Sequence, residues 1–176
     1  MGINTYEVMY IQARVNYPFN VDECIEKLQY VIAADDEHAG AHFLMGCIYE
    51  EQLEDYRQAE HYYRMTMYLD REYLPVYYQL SCMLLNRDRL DDAEKIIEKG
   101  LKINGIDKAR MTYIKGLLYE KHEMYNSATE CYAEAKKYAL NNHFMDYMDD
   151  QIKRVKDKKS LIKKAQKKKK IKEPAK

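Results

Sequence analysis

Tryptophan is missing from this chain, and proline and glycine are scarce, at three and six among 176 residues. Sheets joined by tight turns draw heavily on both residues, because hairpin turns call for positive φ and preset turn geometry. Their scarcity points to helices joined by short links. Also lacking is an apolar run near the ~20 residues that a bilayer-spanning helix needs. The first ten residues show no basic stretch followed by an apolar one, so no secretory leader is expected. The four cysteines, Cys24, Cys47, Cys82 and Cys131, form no CxxC pair and fit no zinc spacing. They read as reduced, buried small residues, and a cytoplasmic location is expected.

Chemistry-bearing patterns are equally sparse. The chain has no phosphate-binding loop, nucleophile elbow or dinucleotide fingerprint. His38 and His42 stand four apart but lack a third metal ligand. The carboxylate pairs Asp35-Asp36, Glu50-Glu51, Asp91-Asp92 and Asp149-Asp150 read as helix-end or surface charge. Catalysis, a cofactor and a bound metal are all unexpected.

What is abundant is tyrosine, 18 residues of it, with 10 methionines. Tyrosine buries a ring and leaves its hydroxyl for polar contact, which suits helix packing and polar-aromatic surfaces alike. A content of 47% hydrophobic and 33% charged residues is that of a folded domain. The net charge of zero hides an asymmetry: residues 151–176 hold 13 Lys and Arg against Asp157 and Glu173, a net +11, so the first 150 residues carry −11.

A repeat organises the chain. Three segments align: Gly46-Cys47-Ile48-Tyr49 with Ala59, Tyr63 and Thr66; Ser81-Cys82-Met83-Leu84 with Ala93, Ile97 and Gly100; and Gly116-Leu117-Leu118-Tyr119 with Ala128, Tyr132 and Ala135. The anchor alanines are 34 and 35 residues apart. After each, a large apolar residue follows four later and a small one seven later, which is one face of a helix. The spacing predicts helix pairs over 39–52 with 56–69, 73–86 with 92–103, and 108–122 with 126–139. Asp91 with Glu94 and Ser127 with Glu130 have capping-box spacing. A weaker first pair places Cys24 in the alanine slot, followed by Leu28 and Val31. Residues 141–172 read as a further helix, whose Phe144, Met145, Met148, Ile152 and Val155 are spaced to cover the last pair.

This pattern resembles the tetratricopeptide repeat over roughly residues 5–139, with departures: the tryptophan is absent, and Arg71 and Gly105 stand where a closing proline is frequent. The resemblance implies an all-α, right-handed solenoid of about four antiparallel helix pairs plus a C-terminal capping helix with a basic tail. The expected organisation is a repeat array over 1–139, a capping helix over 140–158 and a Lys-rich tail over 159–176.

In that family the first helix of each pair lines the concave side. Carried onto this sequence, the groove would comprise Tyr6, Met9, Tyr10, Ala13, Phe43, Cys47, Glu50, Tyr78, Cys82, Tyr113, Leu117 and Glu120. None of the residues at the carboxylate-holding places of heat-shock co-chaperones is cationic here, so that role is unexpected. An aromatic groove with an acidic edge at Glu50 and Glu120 suits a partner segment with apolar anchors and a basic flank. The implied function is a protein–protein interaction scaffold, adaptor or chaperone-like. Two alternatives stand beside it. One is a nucleic-acid or ribonucleoprotein-associated factor, anchored by Lys153, Arg154, Lys156, Lys158, Lys159, Lys163, Lys164, Lys167, Lys168, Lys169 and Lys170. The other is a structural subunit of a larger complex. Self-association is a further option, because the first pair starts the array with apolar residues around Tyr6–Tyr17.

Overall fold

The computed structural model describes residues 4–172, with side chains up to residue 166. The described residues form nine helices and no strand: α1 (Thr5–Asn16), α2 (Val21–Ala34), α3 (Ala39–Glu51), α4 (Tyr56–Leu69), α5 (Leu74–Asn86), α6 (Leu90–Gly100), α7 (Lys108–Lys121), α8 (Tyr125–Lys137) and α9 (Asn142–Lys172). They group into two compact units, Met1–Met83 and Leu84–Lys176, and α5 crosses the division. Within the first unit α1 packs on α2, α2 on α3 and α3 on α4. Within the second, α6 packs on α7, α7 on α8 and α8 on α9.

The second helix of every pair buries the same three positions. They are Cys24, Leu28 and Val31 in α2; Ala59, Tyr63 and Thr66 in α4; Ala93, Ile97 and Gly100 in α6; and Ala128, Tyr132 and Ala135 in α8. Offsets of four and seven keep these side chains on one stripe. Cys24 therefore does occupy the alanine place, and its thiol donates to the Ala13 carbonyl at 3.2 Å. On the first helices a small residue admits the facing ring. A Cβ added at Gly46 would lie 2.6 Å from the Tyr63 ring, and one at Gly116 2.4 Å from that of Tyr132.

In the last three pairs the turn is closed by a left-handed residue: Glu54 (φ 52°), Asp88 (φ 55°) and Glu123 (φ 60°). The chain then bonds back onto the preceding helix, from Arg89 N to Leu84 O at 2.9 Å and from Met124 N to Tyr119 O at 2.8 Å. In the first turn the closing bond runs from Asp55 N to Tyr49 O, one residue further, which absorbs the extra residue between Gly46 and Ala59. This geometry corrects the expected caps. Helices α6 and α8 start at Leu90 and Tyr125, ahead of Asp91 and Ser127, with no side-chain cap. The left-handed turn already aims the backbone into the next helix. Asp55 and Asp107 do cap, accepting from Gln58 N at 3.0 Å and Arg110 N at 2.9 Å.

Helix α9 takes the place of a further first helix, shifted by one repeat from α7. Tyr113 meets Tyr147, and Glu120 meets Arg154, both 34 residues on. Met148 and Val155 are fully buried with Ala128, Tyr132 and Ala135, and Phe144 and Ile152 pack beside them. Met145, expected among the covering residues, is instead 37% exposed. One repeat after Gly116 stands Asp150, and Asp146 and Lys153 share its helix face; all three are exposed. No further helix can be received on that side without burying these charges, and the array ends there.

Candidate binding faces

In the first unit, the expected groove residues come from α1, α3 and the start of α5. Tyr6, Met9, Tyr10, Phe43, Glu50, Tyr78 and Cys82 are half-buried, and Cys47 and Ala13 are buried. Aromatic contacts link them. The rings of Tyr10 and His38 are 4.5 Å apart and those of Phe43 and Tyr73 5.1 Å. Glu50 is fixed on this face: the Tyr63 hydroxyl donates to it at 2.6 Å and the Gln79 amide at 3.2 Å. Gln79 also donates to Glu51 at 3.1 Å, and the Tyr17 hydroxyl bonds the same carboxylate. Burial raises the Glu50 carboxyl above its usual range, partly offset by the hydrogen bonds from Tyr63 and Gln79. No basic side chain pairs with Glu50 among the described residues.

Burial disfavours the thiolate at both cysteines of this face. Burial pushes Cys47 up to about 12 and Cys82 to about 11; thiolates, the reactive form, are scarce at such values. His38 and His42 serve structure. His38 Nδ1 caps α3 by accepting from Ala41 N at 3.0 Å, and His42 Nε2 contacts the Asp36 carbonyl at 2.9 Å. Sequence reasoning missed His38, Tyr73, Gln79 and Tyr17. The last carried a usable signal, since it precedes Glu51 by one repeat of 34 residues.

The second unit differs. Tyr113 and Leu117 pack against the core that α9 completes, and the hydroxyls of Tyr113 and Tyr147 are 2.9 Å apart. Glu120, expected as an open acid, is buried instead. Arg154 grips both its oxygens at 2.7 and 2.6 Å, Lys158 donates at 3.1 Å, and the Tyr132 hydroxyl reaches it at 3.3 Å. The physical reason is register: one repeat later, α9 places cations beside the carboxylate, which desolvation requires to be paired. These hydrogen bonds, led by Arg154, hold the Glu120 carboxyl down at about 2 against the ordinary 4.5.

A carboxyl lowered on folding contributes stability above its unfolded value, and that contribution is lost as pH falls from about 5 to about 2. Because Arg154 and Lys158 are nearly half exposed, screening reduces it to about 2 kcal/mol. Urea unfolding of the wild type should show this loss, and Glu120→Gln should remove it from the difference between the two proteins. Parallel pH profiles would show that the pair adds nothing.

The cationic run also divides. Arg154, Lys158 and Lys159 make contacts inside the unit, Lys159 with Asn126. Lys153, Lys156, Lys163 and Lys164 are exposed. The side chains of Lys167, Lys168, Lys169 and Lys170 lie outside the described residues. Among the described residues no helix is long and apolar enough to cross a membrane, and no group of three or more metal-ligating side chains stands together.

Comparison with known proteins accords with this architecture. The tetratricopeptide repeat family model matches residues 39–73 and 74–107. A search of the curated proteins gives no match. Among solved structures, a thermophilic TPR protein of Thermus thermophilus is similar with a TM-score of 0.67 at 18% identity, over 84% of this chain and 81% of that one. PilF of Pseudomonas aeruginosa gives 0.72 at 14% identity, over 85% and 69%. MamA from Desulfovibrio magneticus RS-1 gives 0.65 at 18% identity, over 95% and 98%. At these identities the likeness is one of fold, an all-α helical-repeat solenoid, and the repeat is in general a non-catalytic scaffold for protein–protein interaction. Residues 39–107 thus form two tetratricopeptide repeats, and the same buried pattern recurs in all four helix pairs.

Proposed function

We propose that the chain is an adaptor or chaperone-like scaffold that holds a segment of a partner protein on the first-helix face of its first unit. The observation that carries this reading is Glu50. It is a half-buried carboxylate held by Tyr63 and Gln79, without a cationic partner among the described residues, on a face lined by Tyr6, Tyr10, Phe43, Tyr73 and Tyr78. A lysine or arginine of the partner would supply the missing charge, and apolar side chains beside it would pack on the rings. The cationic end of α9 fits the nucleic-acid reading less well than its composition implies, because Arg154, Lys158 and Lys159 are engaged within the unit.

The test is a peptide-display selection on the full chain. Enriched peptides should carry Lys or Arg flanked by apolar residues. Glu50→Gln should weaken them about tenfold, a loss typical of a charge-assisted hydrogen bond. Phe43→Ala with Tyr78→Ala should weaken them further while helicity is kept. Enrichment without basic residues, or equal affinity for the folded variants, would overturn the proposal.

A further inference from the structure

The two ends of the repeat array are finished differently. At the C-terminal end α9 turns Asp146, Asp150 and Lys153 outward. At the N-terminal end, α1 shows an apolar stripe instead. Ile11 is 51% exposed, Val15 70%, and Phe19, just past the helix, 92%. Val8, one turn before Ile11, continues the stripe and is partly exposed. The corresponding residues of α3, 34 positions later, are His42 and Met45, both buried, and Tyr49, half-buried. Helix α3 has α2 packed before it. Helix α1 thus carries a face of the kind that a preceding helix covers in the rest of the unit, and nothing described covers it.

The free end of α9 has complementary properties. Lys158 and Lys159 contact α8 at Tyr125 and Asn126, the first two residues of that helix. From residue 160 to Lys172 the helix continues for about 20 Å at the ordinary rise per residue. This stretch presents Leu161, 66% exposed, and the half-buried Ile162 beside it, flanked by Lys156, Lys163 and Lys164. Charge separates the two ends in the same sense. Residues 1–83 hold 14 acidic and 5 basic side chains, a net −9, whereas residues 151–176 are +11.

We propose that the chain self-associates head to tail, the free end of α9 in one copy lying along the apolar stripe of α1 in the next. Leu161 and Ile162 meet Ile11, Val15 and Phe19, and the flanking lysines face the acidic first unit. A second copy meets both requirements of the α1 face, an apolar helix and positive charge, and a pairing of two α1 faces would instead bring together two units of net −9. The contact is heterologous, so each copy keeps one unused α1 face and one unused α9 end, and assembly extends or closes as a ring. Opposite charges draw the ends together, and salt weakens the attraction.

The experiment is light scattering and sedimentation of the full chain over a concentration series at low and high salt. Assemblies larger than one chain should form at low salt and shrink at high salt. Val15→Glu with Phe19→Ser, both at exposed positions, should leave the fold intact and give monomers; Leu161→Glu with Ile162→Ser should do the same. The decisive mixture combines these two monomeric variants. One intact interface then remains, between the α9 end of the first variant and the α1 face of the second, so they should form a dimer of one copy of each and go no further. A monomeric wild type at low salt would overturn the proposal and leave the α1 face to a different protein. Assemblies untouched by both variants, or a mixture that stays monomeric, would overturn it as well.

Discussion

Gly116→Val is expected to unfold the second unit, or to cost at least about 3 kcal/mol of its stability. Even the first carbon of a side chain at this position would fall 2.4 and 2.7 Å from two ring carbons of Tyr132, well inside contact distance. The ring cannot yield. Tyr132 is fully buried, its hydroxyl is bonded to Glu120, and its face lies 5.8 Å from the ring of Tyr113. Valine would drive two further methyl groups into the same space, so helices α7 and α8 would have to part along their interface. A loss of this size is a large share of the net stability of a small unit. Gly116→Ala should fall between wild type and valine. Combining Gly116→Ala with Tyr132→Leu should cost less than the sum of the two changes, because the smaller side chain removes the clash. Urea unfolding followed by circular dichroism reads wild type, the three single variants and the double one, and a valine variant within about 1 kcal/mol of wild type would show that the close approach carries little weight.

Ending the chain after Asp150 should destabilise the second unit by about 4 kcal/mol, whereas ending it after Ser160 should be nearly neutral. The difference lies in ten residues. Between them stand Val155, fully buried, and Ile152, packed beside it. The same stretch holds Arg154 and Lys158, which neutralise Glu120. The shorter chain would leave the carboxylate on a newly opened face, without its cations, beside the uncovered Tyr132. The longer one keeps Val155, the Arg154 and Lys158 pairs with Glu120 and the Lys159 contact with Asn126, and loses the projecting end. The comparison also separates two roles of the cationic segment. If the chain ending at Ser160 keeps its unfolding midpoint but no longer self-associates, the projecting end serves assembly and the packed part serves folding. Equal midpoints for both truncations would mean that the Glu120 pair and the Val155 contact add little.

Much of the architecture was legible in the residues. The offsets of four and seven after Cys24, Ala59, Ala93 and Ala128 mark a single helix stripe, and the 34- and 35-residue period shows that the stripe recurs. Both are local properties of the chain: a helix turns by the same angle wherever it is, so periodicity alone tells which face is apolar. The covering role of Met148 and Val155 followed from the same reasoning. The helix starts were less legible. Asp91 and Ser127 have capping chemistry, yet the left-handed Asp88 and Glu123 set the starts earlier, and neither residue is a glycine that would announce such a turn.

What the sequence determined by itself, then, is the repeat, the pairing of helices and the charge difference between the two ends. The tertiary structure decided which side chains on different helices meet. Glu50 and Glu120 both follow a tyrosine at the end of a first helix, and their neighbours along the chain do not tell which of them is paired with cations from a distant helix. Folding places Gln79 and Tyr63 beside the first, and Arg154 and Lys158 beside the second. Among the described residues one remains a carboxylate without a counter-charge, and the other becomes part of the core. The physical reason is that an ion pair depends on the register between packed helices, which side-chain interdigitation sets, and not on the periodicity of either helix alone.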